Sequence, residues 1–178
     1  MPKSSFVEVR VQSLGLDQTT KTPVVILQEV EGSRILPIWI GPNEASAIAM
    51  ELTGVKFSRP LTHDLAANLV RGLGGVLQRV TIARVENNTY YAEMLIQRGD
   101  EVIAIDARPS DSIAIALRLR SRLFANEELL IEGAVDLVEP DPAVDLAQLA
   151  EQEPAVTPEE LEARLRHLRP EDLGRFQP

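Results

Sequence analysis

Ile35-Leu-Pro-Ile-Trp-Ile-Gly-Pro-Asn-Glu-Ala-Ser-Ala-Ile-Ala-Met-Glu-Leu52 lies, without a gap, over Val102-Ile-Ala-Ile-Asp-Ala-Arg-Pro-Ser-Asp-Ser-Ile-Ala-Ile-Ala-Leu-Arg-Leu119. Pro42 falls on Pro109, Glu44 on Asp111, and one alanine-rich segment on the other. The same offset sets Pro23–Glu31 over Tyr90–Arg98. Agreement of a proline, an acid two positions later and a small-residue helix in one alignment marks an internal duplication. Each copy reads as strand, strand, strand, helix.

The flanking sequence fills in the unit. Phe6 to Leu16 alternates in the period of a half-buried strand, and Thr22 to Glu31 reads as a second. The turn at Glu31-Gly32-Ser33 returns the chain as a third strand, Arg34 to Ile40. That strand lacks polar alternation after Arg34, so both of its faces are expected to be covered, with Trp39 in the core or walling a pocket. Pro42 suits a first helical position, and Ala45, Ile48, Ala49 and Leu52 form an apolar stripe. Thr62 is a candidate N-cap for a helix carrying Leu65, Leu69 and Leu73, closed by Gly72, Gly74 and Gly75. Strands follow at Val76–Val85, Tyr90–Gln97 and Val102–Ala107, with turns at Asn87-Asn88 and Gly99-Asp100, and a helix runs from Pro109 to about Arg120.

The expected architecture is α+β: a duplicated β-β-β-α unit (about 6–53 and 75–120) sharing one strongly curved, mainly antiparallel sheet, with helices packed on it and a pseudo-twofold relating the two strand-to-helix corners. This domain is placed at 1–135. Residues 136–156 are acidic and proline-rich, as linkers are. Residues 157–178 open with Thr157-Pro158-Glu159-Glu160, a helix start, and carry Leu161, Leu165 and Leu168 on one face. Such a short amphipathic tail must dock on its own domain or on another chain.

Composition narrows the chemistry. With no cysteine and only two histidines, thiolate catalysis, disulfides and sulfur-bound zinc are excluded, and any metal must be a hard cation held by carboxylates. The net charge of −9 is uneven: 1–135 carries 14 basic and 16 acidic residues, 136–178 carries 4 and 11. A near-neutral domain argues against strong non-specific attachment to nucleic acid. No apolar run long enough for a membrane span and no export signal is present, so a cytoplasmic protein without a membrane partner is expected.

Three places gather reactive side chains. His63 and Asp64 stand at a helix start, where they could supply a general base or a metal ligand; Asp64 could equally just stabilise the helix N-terminus. Asp106 ends a strand where the first copy has Trp39, and an acid there needs a partner, either Arg108 or a cation. Ser110 and Asp111 follow in the first turn of a helix, whose N–H groups favour an anion. The equivalent corner, Asn43-Glu44, lacks the basic residue and the strand-end acid and reads as the degenerate half. Arg118, Arg120 and Arg122 read as cations complementing a helix C-terminus. No Walker loop, GxGxxG, GxSxG or HExxH motif occurs.

The strings Leu36-Pro-Ile-Trp-Ile-Gly-Pro-Asn-Glu-Ala45, Arg59-Pro-Leu-Thr-His-Asp-Leu65 and Asp106-Ala-Arg-Pro-Ser-Asp-Ser-Ile-Ala114 resemble the signature blocks of the bifunctional nuclease domain family, over roughly residues 6–135. The resemblance implies a duplicated α+β fold, homo-oligomers, and cleavage of RNA and DNA as described for some plant members. The C-terminal tail departs from the helical module of some bacterial members, so no repair-complex partner is carried over. The marked residues coincide with those chosen on chemical grounds. In a nuclease, Asp106 and Asp111, with Asp64 or Glu44, would hold Mg2+ or Mn2+, Arg108 would stabilise the transition-state charge, His63 would move the proton, and Ser110 would sit at the phosphate. This requires a fold that unites the His63 and Asp106 blocks. The competing reading is a non-enzymatic oligomeric module that binds an anionic ligand at Arg108–Asp111, or a protein partner. A third reading makes the marked residues purely structural, closing the corners by caps and ion pairs.

Overall fold

The structure, a computed structural model, describes residues 5–133 and 137–138. The expected tail, and the linker apart from 137–138, lie outside the described residues. Strands β1 (Phe6–Asp17), β2 (Pro23–Glu29) and β3 (Ile35–Trp39) lead into α1 (Pro42–Thr53). After α2 (Thr62–Gly72), strands β4 (Val76–Glu86), β5 (Thr89–Arg98) and β6 (Glu101–Ala107) lead into α3 (Pro109–Leu119). Then come β7 (Arg122–Asn126) and the two-residue β8 (Leu137–Val138), which pairs with β1.

The sheet order is β3-β2-β1-β7-β4-β5-β6. The two copies occupy its two halves and β7 stands between them, so the order reads the same from either edge. Every pairing is antiparallel except β4 with β7. Because β7 runs against β1 and along β4, equivalent strands of the two copies point in opposite directions, as a twofold through the sheet requires. The duplicated, mainly antiparallel α+β fold is therefore present.

Local chemistry accounts for the elements. Asn87 and Asn88 both take positive φ (49° and 59°), the backbone of the tight hairpin between β4 and β5. Pro42 and Pro109 open their helices where no N–H is needed. The apolar positions of both copies meet in one core: Val25, Leu27, Leu36 and Ile38 from the first, Val80, Ile82, Met94 and Ile96 from the second, with Ile48, Ile113 and Ala116 from the helices. Each fully buried branched side chain contributes roughly 1.5–3 kcal/mol. The alanines of α1 and α3, Ala47, Ala114 and Ala116, are buried and let the two helices pack on each other as well as on the sheet. β3 is buried on both faces except at Trp39, as its unbroken apolar run predicts, and β2 is buried from Pro23 to Leu27.

Three expectations are corrected. β7 is a strand where only a basic cluster after the helix was expected. Its pattern, Leu123 and Ala125 inward and Arg122 outward, is too short for a periodicity to register. Trp39 is not core: it is about half exposed on the outer face of edge strand β3, its indole N–H donating to Asp17 at 3.3 Å. Thr62 is the first residue of α2 rather than its cap; Leu61 holds the cap position, and its N–H donates to the Asp64 carboxylate at 3.0 Å.

The exit from α2 is close-fitting. Gly74, at φ 77°, turns the chain, and Gly75 N–H donates to Val70 C=O at 2.8 Å. A Cβ on Gly75 would sit 2.9 Å from Ile96 Cγ2 and 3.0 Å from Val70 O. Gly75→Ala is therefore expected to destabilise the fold by about 1–3 kcal/mol, read as a lower urea midpoint at unchanged slope. An unchanged midpoint would show that this approach tolerates a methyl group.

Candidate active site

Three helices bring their N-terminal turns together. α1 supplies Glu44, α3 supplies Asp111 with Arg108 at its cap position, and α2 crosses to supply His63. Arg108 bridges the two copies: its Nε donates to Asp111 Oδ2 at 2.8 Å and its NH2 group lies 2.9 Å from Glu44 Oε1. The other Asp111 oxygen, Oδ1, lies 3.0 Å from His63 Nε2. Glu44, Arg108, Asp111 and His63 thus form one unbroken chain of contacts, so the pseudo-equivalent corners build one site rather than two. The chain lines an open groove of about 640 Å³, together with Asn43, Ala47, Met50, Leu61 and Arg118.

Burial pushes the Asp111 carboxyl up, but the hydrogen bonds and charges of Arg108 and His63 outweigh it, and the group sits below the ordinary aspartate range. Asp64 is held low chiefly by its hydrogen bond from Arg118, against a smaller penalty from burial. Hydrogen bonding to Asp111 holds the Arg108 guanidinium still more firmly protonated than usual.

Gly41 caps α1, and the Glu44 carboxylate folds back over it, so a Cβ there would have to displace Glu44 Oε2.

The expected site residues divide. His63, Arg108, Asp111 and Glu44 meet. Asp64 lies beside them with its carboxylate already used, one oxygen on the Leu61 N–H and the other on Arg118. Ser110 is buried in the first turn of α3, outside the groove lining. Asp106 does not join the cluster. It pairs with Glu93 on β5, and alternation along β6 turns it to the face opposite Ala107, whose side chain packs on the core. It is exposed there, in a separate hollow with Arg79, Thr81, Arg84 and Tyr91. Because it is exposed, the carboxylate does not need the partner that burial would demand.

Arg118 has a role beyond the one expected. Its side chain is only 6% exposed. Nε donates to Asp64 Oδ1 at 2.5 Å on α2, while the NH1 group donates to Ala47 C=O at 3.1 Å on α1 and to Ala114 C=O at 2.9 Å on its own helix. One guanidinium therefore ties three helices together directly beneath the groove. Helical spacing placed it near a C-terminus; only tertiary contact reveals the cross-tie.

The donor set suits a divalent cation poorly. Among the described residues no group of three or more His, Asp or Glu side chains is close enough to hold a metal ion. The Asp111 and Asp64 oxygens and one oxygen of Glu44 are each matched to a guanidinium, imidazole or backbone donor. No helix among the described residues is long and apolar enough to cross a membrane.

A duplicated α+β sheet with one polar site between its copies defines an internally duplicated domain. Comparison of the sequence sharpens this: the bifunctional nuclease domain matches residues 25–137, and the chain belongs to that family. An uncharacterized protein of Mycobacterium tuberculosis is 42% identical over 149 residues, covering 84% of this chain and 88% of that protein. Bifunctional nuclease 1 of Arabidopsis thaliana is 24% identical over 141 residues, 74% of this chain and 43% of that protein. Bifunctional nuclease 2 of Oryza sativa subsp. japonica is 26% identical over 133 residues, 72% of this chain and 41% of that protein. The matched region thus spans about two fifths of these plant relatives.

Truncating Arg118 would leave Asp64 without its cation and two helix carbonyls without a donor. Arg118→Ala is expected to cost about 3–5 kcal/mol, seen as loss of a cooperative thermal transition at its wild-type temperature; a loss below 1 kcal/mol would remove the cross-tie from this account. Asp64 and Asp111 both release their protons more readily folded than unfolded. The stability they add is complete above their unfolded values, about pH 4, and drains away as pH falls through their lower folded values. Asp64→Asn should flatten that acid limb in a pH series of urea midpoints, whereas an unaltered limb would assign acid sensitivity to other carboxylates.

Proposed function

We propose that the chain is a nuclease cleaving RNA or DNA phosphodiesters at the groove between its two repeat corners. The observation that carries this is the single contact chain His63–Asp111–Arg108–Glu44, drawn from three helices and opening on the groove. Membership of the bifunctional nuclease domain family supports the substrate class.

The residues divide the work as follows. With the Nε2 proton directed at Asp111, the His63 Nδ1 carries the lone pair and acts as general base. Asp111 fixes the ring and stabilises the imidazolium that forms. A nucleophilic hydroxyl, from water or from a ribose 2′ position, attacks phosphorus as His63 takes its proton. The bond from phosphorus to the leaving sugar oxygen breaks on the far side, that oxygen takes its proton from water, and the imidazolium releases its own proton to water afterwards. Arg108 meets the charge that gathers on the non-bridging oxygens. Glu44 holds Arg108 in place from the opposite corner. Mg2+ or Mn2+, expected from the carboxylate-rich, cysteine-free composition, has no ready-built set of ligands among the described residues, so no step is assigned to it.

A second reading has one observation in its favour. Arg108 is about two-thirds exposed at the N-terminus of α3, a favourable place for a phosphate that is bound and not cleaved.

The test is cleavage of fluorescent single-stranded RNA and DNA by purified protein in Mg2+, Mn2+ or EDTA. His63→Ala and Asp111→Asn, each verified as folded, are expected to lower the rate by roughly 10²–10⁴-fold, while Asp106→Ala, on the opposite face, leaves it unchanged. Cleavage surviving in both site variants would dismiss this site. Binding without cleavage, abolished by Arg108→Ala, would favour the second reading. Loss of cleavage in EDTA would add a metal that the substrate or another segment helps to hold.

A further inference from the structure

Alternation along β4 turns Thr81 away from the main core. Its neighbours Val80 and Ile82 pack inside, so its own side chain stands on the opposite face of the sheet. Thr81 is nonetheless only 8% exposed, and it opens onto the hollow of about 440 Å³ that also holds Asp106. The hydroxyl has no hydrogen-bond partner among the described residues, although the residue is more than nine-tenths buried.

The strand register explains what surrounds it. Thr81 pairs with Glu93 and Glu93 with Asp106, so a hydroxyl and two carboxylates stand side by side in one row across β4, β5 and β6. Like charges directly opposite on a sheet repel, and among the described residues neither carboxylate is engaged by a hydrogen bond or a cation. To one side of this row Arg84 pairs with Tyr91, its guanidinium carbon 4.2 Å from the ring centroid, and Glu86 holds the same guanidinium at 2.7 Å. To the other side Arg79 lines the hollow, with no acidic partner among the described residues.

We infer that this hollow binds a guanine nucleotide, either free or as one residue of a single strand. The Watson–Crick edge of guanine presents an acceptor, O6, followed by two donors, N1–H and the N2 amino group. The row Thr81, Glu93, Asp106 offers the complement in the same order: a hydroxyl that can donate, then two carboxylates that only accept. The edges of adenine, cytosine and uracil each set an acceptor against at least one of those carboxylates, which leaves the pair unmatched. The stack of Arg84 on Tyr91 supplies a planar face for the purine, and Arg79 supplies a cation for its phosphate. The volume lies in the range of small-molecule sites. This face of the sheet is turned away from the helices that build the His63 groove, so the inference goes beyond the nuclease reading and does not rest on it.

GMP is the probe, because it has no linkage between sugars and cannot be a substrate of the groove. In titration calorimetry of the full chain, GMP is expected to bind roughly ten-fold or more tightly than AMP, CMP or UMP. Glu93→Gln and Asp106→Asn each exchange an accepting oxygen for a donating amide at an exposed position, and should remove that preference with an unchanged far-UV circular dichroism spectrum. Arg79→Ala should weaken GMP and leave guanosine, which lacks the phosphate, unaffected. A short oligothymidylate with one central guanosine, offered to the His63→Ala chain so that the groove cannot cleave it, separates the two sources. Binding tighter than GMP marks a strand residue and binding no tighter marks the free nucleotide, with Glu93→Gln weakening either. Equal affinity for the four nucleotides would overturn the inference, as would no binding of GMP at millimolar concentration. So would GMP binding that survives both acid variants and is lost in Arg108→Ala, since the ligand would then lie in the groove.

Discussion

A guanidinium taken almost fully out of water organises the helical layer. A buried arginine is tolerable only when its donors and its charge are matched, and Arg118 finds these matches on three different helices. Its ion pair with Asp64 fixes where α2 begins, and Asp64 simultaneously holds the Leu61 N–H at the cap. His63 precedes Asp64 in the chain. Anchoring Asp64 on Arg118 therefore sets the position from which the imidazole reaches Asp111. The structural reading of Asp64 and the catalytic reading of its neighbour are two consequences of one anchor. A helix packed by leucines alone could slide along the α1–α3 surface; this one turns its leucines to solvent and is located by a charge.

The duplicated architecture was legible in the sequence because its signals are local and repeated. A proline opening a helix, an acid two positions later and a run of small residues survive in both copies, and the hairpins announce themselves through Asn87-Asn88 and Gly99. What escaped was non-local. β7 is five residues long and becomes a strand by filling the gap between β1 and β4. The exposure of Leu65, Leu69 and Leu73 was hidden because helical spacing shows that a stripe exists and leaves open which side of the helix is buried; here the small residues face inward and the large ones outward.

The site was half legible for a related reason. His63, Arg108, Asp111 and Glu44 were all singled out by residue type and position, and they meet. Asp106 was chosen because a carboxylate replacing Trp39 at a strand end needs a partner if buried. Both positions lie on the face of the sheet away from the main core, as their core-packed neighbours Ile38 and Ala107 make plain, and an exposed acid needs none. Strand parity decides the matter: Asp106 and the helix-cap residue Arg108 lie only two positions apart, but β6 ends at Ala107, so alternation stops before it can bring them to one side.

Divergence of the two copies is what turns a symmetric junction into a chemical one. Had both corners kept an acid and no base, two carboxylates would face each other across the pseudo-twofold and repel. The second copy instead places Arg108 at its cap position, and that one cation bridges Glu44 from the first copy and Asp111 from its own, leaving one net negative charge among the three. A guanidinium has five N–H donors. Nε serves Asp111 and one end serves Glu44, which leaves donors for a phosphate without breaking either pair. The two acids thus orient Arg108 and dilute its field at the same time. A groove with two acids on one cation does not draw a polyanion in at long range and holds it only where the phosphate meets the remaining guanidinium donors, so its discrimination rests on contact geometry more than on charge.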